Sequence, residues 1–223
     1  SYIANSKQYD YFMDVLSNVR ASKIDQRQLN ILIKIGFFSR FGNQRELLRL
    51  SDMFYGIFKR GDVVQIKREN VDSSPLGGII AKYSTHKTKK NEEAKNYTIF
   101  DIKSVMIDTE KHLKSLHMPD LDNKVKVQNF KEVMGYYGYA SEDPDDLRRF
   151  YVSEIYPLHR KRDGKQFGYS IIVQSIGSGK ESRFTVFNST FNKDPLKVGD
   201  IFYCCNYARD GIYFTLTDYY KDF

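Results

Sequence analysis

Several components that mark common protein classes are scarce or missing in this sequence. It contains no Trp and only two Cys in 223 residues. No apolar run approaches the roughly 18 residues that a membrane-spanning helix needs. Residues 1–10 also lack the charged-then-apolar layout of a signal peptide. We therefore expect a cytoplasmic protein with no membrane partner.

The two cysteines, Cys204 and Cys205, are neighbours in the sequence. Neighbouring side chains in an extended segment point to opposite faces, which excludes a mutual disulfide and a cysteine-based zinc site. The four His residues share no neighbourhood of carboxylates or cysteines. The sequence therefore predicts no metal site and no cofactor.

Positive charge and aromatic rings are abundant. Lys and Arg number 35 against 28 Asp and Glu, so the formal net charge is +7, which favours polyanionic partners. Aromatic residues make up 15%, all of them Tyr and Phe, and either an AT-rich coding sequence or function explains this excess. The chain starts without Met and runs directly into helix-like apolar spacing, so we expect a piece of a longer protein.

Helix signals dominate the first quarter of the chain, which contains no Pro. Asp25 with Gln28 predicts the start of one helix, and Gly36 predicts its left-handed end. Asn43 with Glu46 predicts the start of a second helix. The pattern therefore predicts two helices joined by a short turn.

The middle of the chain has weaker signals. We expect a short strand at 63–66, a turn at 75–78, a solvated Lys-rich loop at 82–95, helical stretches at 98–116 and 125–137, and an acidic hinge at 141–146.

From Phe150 the apolar period changes to two, which is typical of strands. Asp163-Gly164 and Asp210-Gly211 are dipeptides that favour tight hairpins. The five predicted strands are 151–160, 166–175, 182–191, 201–207 and 212–219. Five short strands with this spacing indicate a small barrel of the OB type. The predicted fold is α+β: a helical region at 1–60, a mixed connector at 61–147 and an OB-type barrel at 148–223.

Three segments together resemble one family. KIDQRQLNILIKIGFFSRFGNQRELL, residues 23–48, is similar to the helix-hairpin-helix stretch that follows the fingers in the alpha subunit of bacterial replicative DNA polymerase III, a C-family polymerase. EVMGYYGYAS, residues 132–141, resembles the motif that precedes the OB domain of that family. The predicted barrel then lies where that OB domain would be. Ile35, Phe37 and Ser39 depart from the family pattern, which indicates a divergent member.

This resemblance implies a non-catalytic DNA-binding fragment that holds template DNA during DNA replication. The family's catalytic acids lie upstream, so a DNA-directed DNA polymerase (a nucleotidyltransferase) would be the parent protein, and this fragment would contain no catalytic centre. We expect Asp120, Asp122 and the acids of 143–146 to be solvated loop residues. The implied partners are single-stranded and duplex DNA, the sliding clamp and other replisome subunits. The alternative is a self-contained single-strand-binding or replisome assembly module.

Cations interleaved with aromatic rings predict a surface for single-stranded DNA, because cations bind the phosphates and rings stack on unpaired bases. The candidate residues are Arg160, Lys161, Arg162, Lys165, Phe167, Tyr169, Arg183, Tyr207, Arg209 and Tyr213. Under the alternative, Phe167 and Tyr169 belong to the inward face of the barrel.

Two further sites are predicted in the helical region. Backbone amides of the turn between the helices favour phosphate binding. The candidate duplex-binding residues there are Lys34, Gly36, Arg40, Gly42, Asn43 and Arg45. The resemblance also implies a candidate clamp-binding peptide at Asp52, Met53 and Phe54, although its usual leading Gln is replaced by Leu50. Phe54 equally fits the core stripe of a helix.

Overall fold

The computed structural model describes residues 9–19, 23–58, 63–87, 92–141 and 143–222. The chain forms two compact units, Ser1–Leu121 and Asp122–Phe223. These boundaries differ from the predicted divisions at residues 60 and 147. The predicted connector is split between the units, because side chains as far along the chain as Leu113 join the same core as the N-terminal helices.

The first unit combines helices with a small sheet. Its elements are α1 (Phe12–Val19), α2 (Gln26–Lys34), a 3₁₀ turn (Ser39–Phe41), α3 (Gln44–Gly56), β1 (Val64–Lys67), α4 (Arg68–Asp72), α5 (Gly77–Lys82), β2 (Ser84–Lys87), β3 (Glu93–Ile99) and α6 (Ile102–Ser115). The sheet has the antiparallel order β1-β3-β2. Buried Phe and Leu side chains of α1, α2 and α3 form a single core with α6.

The predicted helix ends are confirmed. The Asp25 side chain accepts a hydrogen bond from the Gln28 amide, and the Gln28 side chain accepts one from the Asp25 amide. Gly36 has φ +78°, the left-handed conformation that residues with a β-carbon rarely adopt. The Asn43 side chain accepts a hydrogen bond from the Glu46 amide at the start of α3.

Two predictions about the middle of the chain are wrong. The expected Lys-rich loop at 82–95 contains β2 and the start of β3, while residues 88–91 lie outside the described part. Most side chains of this segment are polar, and in β3 only Tyr97 and Ile99, further along the strand, face the core. The sequence pattern therefore did not indicate strands. Gly77 and Gly78, expected in a turn, begin α5.

The second unit is built around a closed five-stranded barrel. Its elements are α7 (Asn123–Met134), a 3₁₀ helix (Pro144–Arg148), β4 (Arg149–His159), β5 (Gln166–Ser175), β6 (Glu181–Phe187), α8 (Asn188–Phe191), β7 (Ile201–Asp210) and β8 (Tyr213–Asp222). The strand order is β4-β5-β6-β8-β7, and β7 pairs with β4 to close the barrel. Only the β6–β8 pair is parallel among these neighbours.

This topology confirms an α+β chain with a five-stranded barrel, and it is compatible with an OB-type barrel. The bounds of β5 match the prediction. The predicted third strand is shorter, because residues 188–191 form α8. The last tight turn consists of Gly211 and Ile212 instead of Asp210-Gly211, since Asp210 still pairs with Tyr213.

A β-bulge decides which side chains of β4 face the barrel interior. Val152 pairs with Val173 and Glu154 pairs with Ile172, so Ser153 is the extra residue. The bulge reverses the alternation of the β4 side chains that follow it as far as Leu158, after which a second register shift occurs. Tyr156 and Leu158 consequently share the outward face.

Candidate nucleic-acid interface

Four predicted cations crowd the turn between β4 and β5. Arg160, Lys161, Arg162 and Lys165 are all exposed. The turn is held by backbone hydrogen bonds from the Arg160 amide to the Lys165 carbonyl and from the Gly164 amide to the Arg160 carbonyl, both 2.9 Å. Among the described side chains, no carboxylate forms an ion pair with these cations. Their charged ends therefore lie in solvent.

Asp163 is the only acidic residue within this turn, and its side chain is hydrogen-bonded to the backbone. The Asp163 carboxylate accepts a hydrogen bond from the Lys165 amide at 3.1 Å. It therefore shapes the turn.

Tyr169 lies on the strand face that also carries the buried Ile171 and Val173. Phe167 lies at the register shift between the Leu158–Gly168 and His159–Gln166 pairs, and its ring centroid is 6.2 Å from that of the Phe187 ring. The Tyr169 ring is half-buried and stacks on Phe191, with ring centroids 3.9 Å apart and planes at 26°. Phe167 is half-buried as well. The alternative in which the ring belongs to the inward face of the barrel therefore holds for Tyr169, whose ring packs against the barrel core.

The outward face of β4, β5 and β6 carries a second set of rings that sequence reasoning missed. Tyr156 is 50% exposed and Phe187 is 46% exposed. Tyr156 pairs with Ser170, and Phe187 pairs with Gly168. The partners are small or have no side chain, and both are themselves buried.

Arg183 of β6 is exposed on the same face as Tyr156. A hydrogen bond from the Tyr156 hydroxyl to the Glu154 carboxylate raises the pKa of Tyr156, and the positive charge of Arg183 opposes that rise. Tyr156 pairs with Ser170 and Arg183 pairs with Ile172, so the two side chains flank β5 on the same face. We name the set of Tyr156, Leu158, Arg183 and Phe187 the outer face.

The β7–β8 hairpin supplies the remaining predicted residues. Tyr207 and Tyr213 are 45% and 70% exposed, and Arg209 lies 5.5 Å from the Phe214 ring centroid. Phe214 pairs with Phe184 of β6. Since β4 borders β5 and β8 borders β6, the two turns border the outer surface of β5 and β6 from opposite sides.

A carboxylate of the protein itself lies at the predicted duplex-binding turn, where a DNA phosphate was expected. The backbone amide of Arg45, at the start of α3, donates to the Asp120 carboxylate at 3.3 Å. Asn43 caps α3 and also donates to the Met118 carbonyl at 2.9 Å. A phosphate at this helix end would have to displace the Asp120 carboxylate.

The other duplex candidates have structural roles. The Arg40 guanidinium binds the Tyr9 carbonyl and lies 4.4 Å from the Phe41 ring centroid. The Lys34 carbonyl accepts from the Gln44 side chain at 3.3 Å. Gly42 has φ +152°, and a β-carbon there would lie 2.9 Å from a Glu46 carboxylate oxygen. The helix-hairpin-helix unit therefore stays a prediction.

The candidate clamp peptide belongs to α3. Phe54 is 1% exposed in the core of the first unit, and Met53 packs against that core. Asp52 is exposed and accepts a hydrogen bond from Gln26 at 2.7 Å. A clamp could reach Phe54 only if α3 left the core.

The acids of the predicted hinge are not all solvated. Asp146 is 3% exposed, accepts two hydrogen bonds from Asn123 at 3.1 Å, and pairs with Arg149 at 3.0 Å. The expectation of a solvated acid is wrong for Asp146, because this carboxylate links α7 to β4. Within the described ranges, no three His, Cys, Asp or Glu side chains are grouped so that they could hold a metal ion.

Charge is distributed unevenly along the chain. In residues 122–223, Lys and Arg number 15 and Asp and Glu number 14, so most of the net charge of +7 belongs to the first unit. Attraction of a polyanion to the barrel must therefore rest on the local cluster of cations at the β4–β5 turn.

Comparisons of the chain with protein-family models, with curated proteins and with solved structures found no match. The resemblance to the polymerase III alpha subunit accordingly stays a hypothesis. Among the residues that the structure describes, no helix has both the length and the apolar character needed to cross a bilayer.

Proposed function

We propose that the barrel binds single-stranded nucleic acid with the β4–β5 turn and the outer face. The observation that carries this proposal is the cluster of four exposed cations at one border of a surface with two half-exposed rings. Phosphates would contact the turn, and unpaired bases would stack on Tyr156 and Phe187. Each stacked base contributes about 1–3 kcal/mol in such complexes.

Single strands are favoured over duplex because only unpaired bases offer their flat faces to these rings. Backbone contacts alone would serve either form. The Glu154 carboxylate lies beside Tyr156 and repels phosphates. The strand's backbone is therefore expected to follow the turn, with the bases directed toward the outer face.

The test is fluorescence anisotropy with a labelled single-stranded oligonucleotide at increasing salt. Lys161→Gln with Arg162→Gln removes two turn cations and leaves the backbone hydrogen bonds of the turn in place. We expect about tenfold weaker binding at low salt and a log-log salt slope reduced by about 1.4, since each single-strand phosphate contact contributes about 0.7. The matched control is Lys180→Gln with Lys193→Gln, two exposed lysines of the same unit away from this turn.

Equal affinity of the parent and the turn variant, or equal losses in the turn variant and the control, would refute the role of the turn. Thermal unfolding of both variants should match the parent, because exposed charges contribute little to folding.

The setting in which the barrel works is also a proposal. The order of the three polymerase-like segments supports a non-catalytic part of a replicative polymerase alpha subunit, and the alternative is a self-contained single-strand-binding or replisome assembly module. The coding sequence upstream distinguishes them. A polymerase catalytic region in the same reading frame supports the first, and its absence supports the second.

A further inference from the structure

A carboxylate lies directly beside one of the rings of the outer face. Glu154 comes two residues before Tyr156 on β4, and both follow the extra residue Ser153, so both side chains point outward. Glu154 is exposed, and its carboxylate accepts a hydrogen bond from the Tyr156 hydroxyl. A negative charge weakens the binding of phosphates, so contacts with the backbone of a strand do not account for an acid at this place.

The Tyr156 hydroxyl uses only part of the capacity of this carboxylate to accept hydrogen bonds. An ionised carboxylate has two oxygens with about four lone-pair sites, and the hydroxyl takes one of these sites on one oxygen. The pKa of Lys131 on α7 is raised mainly by its 2.6 Å hydrogen bond with the Tyr137 hydroxyl, and the charge of Glu154 adds a smaller effect. No cation within the described ranges forms an ion pair with Glu154, so its second oxygen can accept hydrogen bonds from a ligand.

A base that stacks on Tyr156 would bring its edge to the Glu154 carboxylate. Stacked rings lie about 3.5–4.0 Å apart, and the hydroxyl end of the Tyr156 ring already contacts this carboxylate. The edge of a base above that end of the ring therefore reaches the same group. Arg183 is exposed on the far side of β5, since Ile172 pairs with Glu154 on one side and with Arg183 on the other. The phosphates of the strand thus have a cation on the side away from the carboxylate.

The natural bases present different groups to a carboxylate. Guanine has two neighbouring donors, N1–H and the N2 amino group, which fit the two carboxylate oxygens. Adenine and cytosine each offer an amino donor next to a ring-nitrogen acceptor, and thymine and uracil offer one N–H between two carbonyl acceptors. A carboxylate only accepts hydrogen bonds, so it repels an acceptor that faces it. Guanine alone can form two hydrogen bonds with it along one edge.

We infer that Glu154 selects guanine at the position of the strand that stacks on Tyr156. This inference rests on the proposed function and adds a base preference to it. The Tyr156 ring stacks on any base, whereas the carboxylate distinguishes the edges of the bases. A contact with two hydrogen bonds of this kind is expected to discriminate by about tenfold.

Fluorescence anisotropy with labelled dT strands of about eight nucleotides tests the inference. One strand has a central dG and another has a central dA, and each can slide until its purine reaches Tyr156. The parent protein should bind the dG strand about tenfold more tightly than the dA strand, because the two purines offer similar stacking areas and differ in the edge that meets Glu154. A strand with a central deoxyinosine, which lacks the N2 amino group, should have an affinity between these two.

Glu154→Gln removes the negative charge and keeps an oxygen that can accept the Tyr156 hydroxyl. The preference for dG over dA should fall from about tenfold to about twofold or less, whatever happens to the overall affinity. The matched control is Asp218→Asn, which removes an equal charge from an exposed acid of β8 that pairs with Asn206 of β7. Its preference for dG should stay within about twofold of the parent's, as expected for an exposed charge outside the outer face.

Equal affinities of the parent for the dG and dA strands, with both strands bound, would overturn this inference and leave the proposed function standing. A dG preference that Glu154→Gln does not lower would overturn it as well. That result is expected if Glu154 only holds the Tyr156 ring in place, because both strands would then lose affinity equally. Absence of binding by both strands would overturn the proposed function and this inference together. Thermal unfolding of Glu154→Gln should match the parent, because the side chain is exposed.

Discussion

Two tyrosines on neighbouring strands provide the sharpest test of which barrel face binds ligand. Tyr169 points inward and pairs with Pro157, and the adjacent Tyr156 points outward and pairs with Ser170. The same change, Tyr→Ala, therefore probes opposite faces of the sheet at almost the same place. We expect Tyr169→Ala to cost stability and Tyr156→Ala to cost binding.

The stability loss at Tyr169 follows from its contacts. Complete burial of an aromatic ring makes its replacement by Ala cost about 3–5 kcal/mol, and the half-buried Tyr169 should lose about half of that. Its ring also stacks on Phe191 at 3.9 Å, and such pairs add about 0.5–1.5 kcal/mol. The free energy of unfolding should therefore fall by about 2–4 kcal/mol. Single-strand affinity, measured where the variant is fully folded, should stay within about twofold of the parent, since the ring does not face the ligand.

Tyr156 contributes less to folding stability than Tyr169 does. Its ring is 50% exposed and contributes one cross-strand pair and one hydrogen bond to Glu154, so Tyr156→Ala should lower the free energy of unfolding by less than about 1 kcal/mol. The loss of one stacked base should weaken single-strand binding by about 1–3 kcal/mol, or roughly 5- to 150-fold.

Urea unfolding and fluorescence anisotropy on the same two protein samples give both quantities. The reverse outcome, in which Tyr169→Ala keeps its stability but loses affinity, would refute the assignment of the faces. Unchanged affinity in Tyr156→Ala would remove the outer face from the proposed function and leave only the cationic turn.

Three further predictions concern the rest of the chain. Gly36→Ala should destabilise the first unit by about 1 kcal/mol in urea unfolding, because φ +78° is strained for Ala although no atom lies within 4 Å of its β-carbon. Glu110→Gln should destabilise that unit by about 2–3 kcal/mol, since the buried carboxylate accepts both the Phe12 and Met13 amides and pairs with Lys114 at 2.8 Å. Burial raises the pKa of the Cys204 thiol to about 11, so it should stay protonated and unmodified by iodoacetamide at pH 8 until the barrel unfolds, as mass spectrometry would show.

Local signals predicted the elements whose ends are set by nearby residues. The capping pair at Asp25 and Gln28 and the left-handed Gly36 depend on contacts within four residues, so they were readable from the chain. The strand β5 was readable for a similar reason, since an apolar period of two is bounded by turn residues on both sides. The short strands β2 and β3 were missed because their polar sequence resembles a loop.

The same distinction between local and long-range contacts applies to the site residues. Exposure of the cations in the β4–β5 turn follows from the turn sequence alone, because a charged hairpin tip has no core to enter. The occupation of the α3 start by Asp120 did not follow, since 75 residues separate that carboxylate from the Arg45 amide. The burial of Asp146 likewise depends on Asn123, which is 23 residues away.

The amino-acid sequence by itself determined the helix caps, the strand-rich second half and the cationic turn, because each depends on neighbours a few residues apart. The tertiary structure alone decided which rings face outward. One extra residue at Ser153 reverses the alternation of β4 and places Tyr156 on the outside. Which residue forms a bulge depends on pairing with another strand, and the pairing of β7 with β4 depends on closure of the barrel. Neither pairing nor closure is a property of any single segment.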